Sequence, residues 1–400
     1  MRLRGFRLTA AKNWENLISA KLHVLTLTPF YPAAEDEVSG CFVAESIGEL
    51  AAQGVQSTVI AVDSIYHARK RASPQYPAEW ARYPQLPGNF GLSNAGSLLG
   101  AVLLRRVEQL HRRTPVSLIH AHAALPCGHA AAYLSHRLKI PFVVTIHGLD
   151  VFNRCFEDGV AAGWRRKTSL HAYRSARKVI CISEKVRRPL TDVVGTTVDA
   201  ELVYNGTDTN VFAPSGTQNG PHTILIVGNV LAGKGHELVL RAVANVKASY
   251  PGLQCHIIGE GADRDRFIAL AQALGIRQQV HFLGRRRRAE VAEAMRDCTI
   301  FALPSRFEGL GCVYLEAMAC GKPAIACWGQ GIDEIIQHGK NGWLIPIDGL
   351  EELEHGLRTL LQDSELRTRI GHAARQTIVE SLTLSHQAKK LIAVYEDAVR

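Results

Sequence analysis

Residues 304–323 read Pro304-Ser305-Arg306-Phe307-Glu308-Gly309-Leu310-Gly311-Cys312-Val313-Tyr314-Leu315-Glu316-Ala317-Met318-Ala319-Cys320-Gly321-Lys322-Pro323. Two carboxylates stand eight residues apart in this stretch, each in an awkward place. Glu308 opens a Gly309-Leu310-Gly311 turn that exposes backbone N–H groups. Glu316 lies inside an apolar run, Val313 to Ala319, which reads as a helix closed by Gly321 and Pro323. Eight residues turn a helix through about 800°, so the two side chains cannot share one helix face. The spacing is satisfied when Glu308 lies on the entry loop and Glu316 one turn in, both lining a cleft. The loop amides and the helix N-terminus then form an anion site. A lone acid is costly to bury, so Glu316 is expected to accept hydrogen bonds from ligand hydroxyls. A phosphate beside a polyhydroxyl group suggests a nucleotide sugar.

The flanking sequence sets the scale. The chain has 400 residues, more than one ordinary core organises, so two domains of ~200 residues each are expected. Hydrophobic content of 46% with 7% aromatics fits a globular protein, and no apolar stretch approaches the ~20 residues of a membrane span. Nine cysteines are scattered, mostly in apolar runs, without a Cys-x-x-Cys pair. That pattern reads as reduced, buried thiols in the cytoplasm. The net charge is +9, concentrated in Arg165-Arg166-Lys167, Arg285 to Arg288, Arg105-Arg106 and Arg112-Arg113. No aromatic-basic interleaving or nucleic-acid module accompanies it, so nucleic acid is not expected as a partner. A nucleoside diphosphate and peripheral attachment to an anionic membrane, at the inner face of the cytoplasmic membrane, account for the charge at least as well. Within residues 1–20, Lys12, Asn13, Glu15 and Asn16 break any signal-peptide core, and the segment reads either as a short basic amphipathic helix at a membrane interface, with Trp14, Leu17 and Ile18 on one side, or as a frayed extension.

From Leu22 onward, strand and helix patterns alternate. Strands are expected at 22–28, 55–62, 116–121, 141–146, 178–182 and 200–204, with helices at 42–53, 97–113, 128–138, 162–175 and 184–193. This is βαβ grammar and implies a parallel sheet covered on both faces. A Pro-, Ser- and Gly-rich break over 207–222 reads as a linker. A second series follows, with strands at 223–228, 254–258, 279–282, 299–303 and 323–327. The expected architecture is α/β: two doubly wound, Rossmann-like domains facing a cleft, residues 1–212 and 213–383.

Further segments carry chemistry. The strand Ile224 to Val227 runs through Gly228 and Asn229 into Gly233-Lys234-Gly235. This differs from a Walker A loop only in lacking Ser or Thr after the lysine, where magnesium would be held. No downstream strand ends in the aspartate such a loop requires. His147-Gly148-Leu149-Asp150 follows the strand ending at Ile146 and points from a carboxyl end toward the cleft. Gly40 precedes the first helix and suits close approach of backbone amides to phosphate. Ser183 and the Asn205-Gly206-Thr207-Asp208 turn read as a helix cap and a hinge-side turn. His120, His122, Cys127 and His129 lack standard zinc spacing. Asp263-Arg264-Asp265 reads as capping of its own helix. Arg285 stands within reach of a nucleotide base, but Arg285 to Arg288 reads first as a solvated run.

These landmarks, in order from about Leu22 to Gly342, resemble the retaining transferases of glycosyltransferase family 4, whose signature is Glu-x7-Glu and whose fold is GT-B. The resemblance implies a hexosyltransferase-type enzyme using a nucleoside-diphosphate sugar without a metal or other cofactor. The first domain holds the acceptor, a glycan or lipid-linked molecule, and the second the donor. The final helix, 384–400, is expected to cross back onto the first domain. Lys234 and the loop amides would meet the diphosphate, Glu308 would orient the sugar, Glu316 the ribose, and His147 the sugar from across the cleft. The donor-binding set is then Gly40, Asn229, Lys234, Glu308, Gly309, Leu310, Gly311 and Glu316, with His147, Lys234 and Glu308 catalytic. Two departures stand out: Asn229 occupies a place where the family commonly has a second phosphate-binding arginine, and Ser39 one where it often has glycine. A P-loop-like nucleotide hydrolase and a non-catalytic sugar-nucleotide binding protein remain the alternatives.

Overall fold

A computed structural model of the chain describes residues 22–67, 70–85, 91–148, 160–194, 198–215 and 221–400. The amphipathic stretch before Leu22, Leu149 and Asp150, and residues 216–220 of the expected linker lie outside the described residues.

Among the described residues, both sheets are parallel throughout, and the first has seven strands. They are β1 His23–Thr28, β2 Gln56–Ser64, β3 Glu79–Tyr83, β4 Leu118–His122, β5 Phe142–Ile146, β6 Lys178–Cys181 and β7 Ala200–Leu202, in the order β3-β2-β1-β4-β5-β6-β7. The second sheet has six: β8 Thr223–Val227, β9 Gln254–Ile258, β10 Val280–Gly284, β11 Ile300–Ala302, β12 Ala324–Cys327 and β13 Trp343–Ile345, in the order β10-β9-β8-β11-β12-β13. Central strands such as β1, β5 and β12 are buried at every residue. Covering on both faces explains why they read as continuous apolar runs rather than alternating ones. The order reverses between β1 and β4, and again between β8 and β11. At those switch points the loops leaving the carboxyl ends diverge and open a crevice.

Two strands lie beyond the expected set. β3 sits at a sheet edge and alternates in burial, with Glu79 exposed and Ala81 and Tyr83 buried. It carries too much polar surface to stand out as a parallel strand. β13 is three residues long, squeezed between Gly342 and Pro346, and also lies at an edge.

The last helix, Leu384–Val399, packs on the first sheet. Ala388, Leu391, Tyr395 and Ala398 share an apolar cluster with Leu50, Leu118, Val143 and Ile180. The chain therefore crosses between the two sheets twice, and the crossings are stitched together. Thr207 N donates to Leu382 O at 3.0 Å, and Leu384 N donates to Thr207 O at 3.1 Å. Arg375 pins the first crossing by donating to the carbonyls of Thr209, Phe212 and Ala319.

Gly206 lies between the crossings, and a Cβ there would sit 2.4 Å from the Thr383 carbonyl oxygen. Gly206→Ala is therefore expected to force the crossings apart and destabilise the chain by about 1–3 kcal/mol. A thermal melt checks this, and an unchanged melting temperature contradicts it.

Candidate functional site

The site begins with two loops that support each other. The loop after β8 ends in a 3₁₀ turn, Ala232–Lys234, and Gly235 turns left-handed (φ 79°) to start the helix His236–Val246. A Cβ on Gly235 would meet the Pro304 carbonyl oxygen at 2.2 Å, so this loop lies directly on the one leaving β11. Arg306 N donates to Gly233 O at 2.9 Å, and Ser305 Oγ donates to the same oxygen at 3.2 Å. Asp263 stands at the N-cap of the helix Arg264–Ala273, with Asp265 in its first turn, as expected, but the Asp263 side chain bonds no amide of that helix. Its carboxylate instead accepts from Ala232 N at 2.7 Å, bracing the turn that carries Lys234.

The second loop places both acids of the opening motif. Glu308 N donates to Gln330 Oε1 at 2.9 Å, and Gly331 N donates to Glu308 O at 3.1 Å, which fixes the backbone. The Glu308 carboxylate receives Lys234 Nζ. Gly311 adopts φ 83° and leads into the helix Cys312–Ala319, whose N-terminus no side chain caps. Leu310 is buried, with Gly309 beside it. One turn along, Glu316 is buried. Its Oε1 receives Arg288 Nη1, while Oε2 is buried without a hydrogen-bond partner.

Arg288 corrects the reading of residues 285–288 as a solvated run. Its side chain is 18% exposed and donates from Nε and Nη2 to both oxygens of Glu45, at 2.8 and 2.9 Å. Burial works against the cation, and Glu316 and Glu45 more than offset it, holding Arg288 far above its ordinary range. Burial pushes the Glu45 carboxyl up, to about 7, against the pull of Arg288. Glu45 was missed, although a signal existed: with Glu49 it is one of only two charged residues in an otherwise largely apolar helix, Cys41–Ala52, and of the two it is the one on the inward side.

The first sheet contributes the facing wall. Gly40, at φ 78°, opens the Cys41–Ala52 helix, and a Cβ there would meet the Phe30 carbonyl carbon at 2.4 Å. His147 follows β5 and lies across from the second loop. Ser183 Oγ donates to Gly309 O, and a Cβ on Gly309 would come 2.8 Å from His147 O. The His147 ring packs edge-on to Phe30 and Phe42 and stacks on His122 at 5.2 Å. His147 Nε2 hydrogen-bonds His122 Nδ1 at 2.9 Å, leaving a buried Nδ1 without a partner. His120 stacks on His122 at 4.3 Å, and its two nitrogens engage Thr145 Oγ1 and Tyr395 OH, each at 2.7 Å. Cys127 is buried and His129 packs against His171. Among the described residues, no cluster of three or more His, Cys, Asp or Glu is arranged to hold a metal ion.

The expected site residues are thus brought together, with two distinctions. Lys234, Glu308, Gly309, Leu310 and Gly311 lie on two adjoining loops and Glu316 on the helix that follows, with His147 across from Gly309 and Gly40 at the start of the first-sheet helix that carries Glu45. Asn229 is exposed after Gly228, away from the paired lysine and glutamate in the hydrogen-bond network.

Residues 41–211 match the family model described as Glycosyltransferase Family 4, and residues 208–377 the one described as Glycosyl transferases group 1. The alpha-D-kanosaminyltransferase of Streptomyces kanamyceticus is 28% identical over 358 residues, covering 83% of this chain and 89% of the relative. The N-acetyl-alpha-D-glucosaminyl L-malate synthase of Bacillus anthracis is 25% identical over 319 residues, covering 74% and 79%. In three dimensions the chain is similar to HepE of Anabaena solved in complex with UDP (TM-score 0.75, 18% identity, 94% of this chain and 100% of that one). It is equally similar to the sucrose-phosphate synthase of Thermosynechococcus elongatus (TM-score 0.75, 19% identity, 94% and 98%).

The histidine column generates a pH prediction. Burial pulls His147 down from 6.5 to about 4 and His120 to about 3, and it lowers His122 well below 6.5. The unfolded chain binds protons below about pH 6.5 that the folded chain refuses, so stability is expected to fall as pH drops from there toward 4. At pH 5 keeping His147 and His120 neutral costs about 2 kcal/mol each, and His122 adds to the loss in the same direction. Denaturant unfolding at pH 7.5 and 5 of wild type and His122→Asn measures it: the variant is expected to lose less stability on acidification. Equal losses contradict the assignment.

Proposed function

The chain belongs to glycosyltransferase family 4 and has the GT-B fold, and on that premise we propose that it transfers a hexosyl group, with retention, from a nucleoside-diphosphate sugar to a glycan or lipid-linked acceptor in polysaccharide or glycoconjugate synthesis. The observation that carries this reading is the meeting of Lys234 with Glu308 at the β8/β11 switch point, beside a Glu316 oxygen that is buried and unpartnered. A diphosphate entering between the loops competes with Glu308 for Lys234. The lysine then neutralises the leaving group, and the freed Glu308 carboxylate accepts from sugar hydroxyls. Glu316 Oε2 takes a ribose hydroxyl, which satisfies a polar atom otherwise costly to leave alone. The UDP bound by HepE supports a nucleotide at a site of this fold.

The reaction needs no enzyme nucleophile in this reading. The acceptor oxygen attacks the anomeric carbon from the face the diphosphate is leaving, the glycosidic C–O bond forms as the C–O bond to phosphate breaks, and a departing phosphate oxygen takes the acceptor proton. Lys234, the Leu310 and Gly311 amides and the uncapped Cys312–Ala319 helix stabilise the negative charge that develops on the diphosphate, a preorganised electrostatic role. Half-buried and neutral, His147 offers hydrogen bonds to the transferred sugar without adding charge. No metal is required, because the lysine and the amides stand where a divalent ion would act.

The acceptor side faces a basic surface. The helix Gly91–Arg113 carries Leu98, Val102, Arg105 and Arg106, with Trp164 exposed on the helix Val160–Ser175. We include peripheral attachment to an anionic membrane in the proposal. Arg106 is already paired with Glu79 and Arg112 with Glu108, which reduces the charge available. Among the described residues no helix is long and apolar enough to cross a membrane. Co-sedimentation is expected with anionic vesicles at low salt and not with neutral ones; equal, negligible binding to both points to an acceptor free of the membrane.

Lys234→Ala is expected to weaken nucleoside-diphosphate binding by roughly 1.5–3 kcal/mol, the loss of a charged hydrogen bond. Transfer by the wild type is expected to persist in EDTA. Calorimetric titration and a chelated transfer assay check both. Undiminished affinity in the variant contradicts the lysine's role, and manganese-reversible loss in EDTA contradicts metal independence. Magnesium-dependent phosphate release without sugar would favour a hydrolase, and donor binding without transfer to any acceptor would favour a silent binding subunit.

A further inference from the structure

We propose that Glu45 and Arg288 form a strut across the cleft that draws the first domain over the donor and holds Glu316 oriented for the ribose; the second half of this rests on the donor reading above. Glu45 belongs to the helix Cys41–Ala52 on the first sheet, and Arg288 opens the helix Arg288–Asp297 on the second. The guanidinium has three nitrogens, and all are engaged: Nε and Nη2 form a bidentate fork with Glu45, and Nη1 reaches Glu316. Its carbon lies 4.6 Å from the ring centre of Phe212, which is fully buried where the chain crosses between sheets. One side chain therefore touches the first domain, the crossing and the carboxylate assigned to the ribose. A lysine offers no planar fork and could not hold two carboxylates and a ring together in this way.

The charge count suggests what the cluster lacks. Two largely buried carboxylates share one cation, and the only carboxylate oxygen among them without a partner is Glu316 Oε2. Burial and the nearby Glu316 charge both push the Glu45 carboxyl up. A further cation is not needed; a neutral donor such as a ribose hydroxyl satisfies Oε2. Arg288 keeps Glu316 from rotating away from that position, so it acts as a positioning residue.

A second prong lies at the same edge. Arg285 Nη1 pairs with Asp36 Oδ2 on the first domain. Asp36 in turn accepts from the backbone N–H groups of Val38 and Ser39 and from the Ser39 hydroxyl, shaping the turn into Gly40. This pair is more exposed than the first and contributes less.

The test combines small-angle X-ray scattering without ligand and calorimetric titration of UDP and GDP. Glu45→Gln is expected to enlarge the radius of gyration and raise the Kd for the better nucleotide about tenfold, as when the closed, competent fraction falls to about one tenth. Glu45→Asp, which restores the charge, is expected to recover part of that affinity. Glu316→Gln is expected to weaken nucleotide binding with the wild-type radius, because the Arg288–Glu45 fork survives. Asp36→Asn, a surface change that leaves the core untouched, is expected to move the radius in the same direction as Glu45→Gln by a smaller amount. Wild-type radius and affinity in Glu45→Gln overturn the strut. If wild type binds neither nucleotide, the donor reading and the ribose half of this proposal fall together, while the scattering still decides the strut.

Discussion

Gly235 approaches the Pro304 carbonyl so closely that no side chain fits between them, and the donor side of the molecule depends on that contact. It exists because β8 and β11 are neighbours at the switch point of the second sheet, so the loops leaving their carboxyl ends start side by side. Once the loops touch, the hydrogen bonds into Gly233 O lock them. Lys234 from one loop and Glu308 from the other then have no choice but to meet. An ion pair between partly exposed side chains is ordinarily worth little. In the proposed function it matters less for stability than as an exchangeable contact, with Lys234 passing from Glu308 to a diphosphate.

The facing wall is joined to this platform by several polar contacts beside a shared apolar cluster that includes Ile182, Val186 and Leu310. Ser183 donates to Gly309 O. Glu334 accepts from the backbone N–H groups of Glu184 and Lys185 at 2.8 and 2.7 Å and from Tyr204 OH at 2.9 Å, so an acid of the second sheet caps a helix of the first. Arg288 and Arg285 reach Glu45 and Asp36. Polar interdomain contacts of this kind break and re-form at modest cost, unlike a buried apolar seam, and they suit domains that close on a ligand and reopen. A second apolar attachment lies where the Leu384–Val399 helix packs on the first sheet.

Much of this was legible in the amino-acid order because both sheets bury their strands on two faces. Runs such as Ile224 to Val227 and Phe142 to Ile146 could be nothing else at that length and with those flanks. Glu316 stood out for the same reason, a charge in an apolar helix. Pairings across long separations were not legible. Arg288 and Glu45 are 243 positions apart, and nothing local distinguishes Arg288 from the three arginines before it. Asp263 is legible as the start of its own helix, but the bond from Ala232 N to its carboxylate is not, because Ala232 belongs to another loop. The histidine column was half visible. Strand alternation put His120 and His122 on one side, but His147 joins them only through the β4–β5 register, in which His122 stands beside Thr145.

A crystal structure of the chain with a bound nucleoside diphosphate tests the central claim most directly. The account predicts the diphosphate against Lys234 and the amides of Leu310 and Gly311, with Glu308 released from the lysine and a ribose hydroxyl on Glu316 Oε2. A nucleotide bound elsewhere, or one bound in the cleft with Lys234 still paired to Glu308 and Glu316 Oε2 still unpartnered, would contradict it.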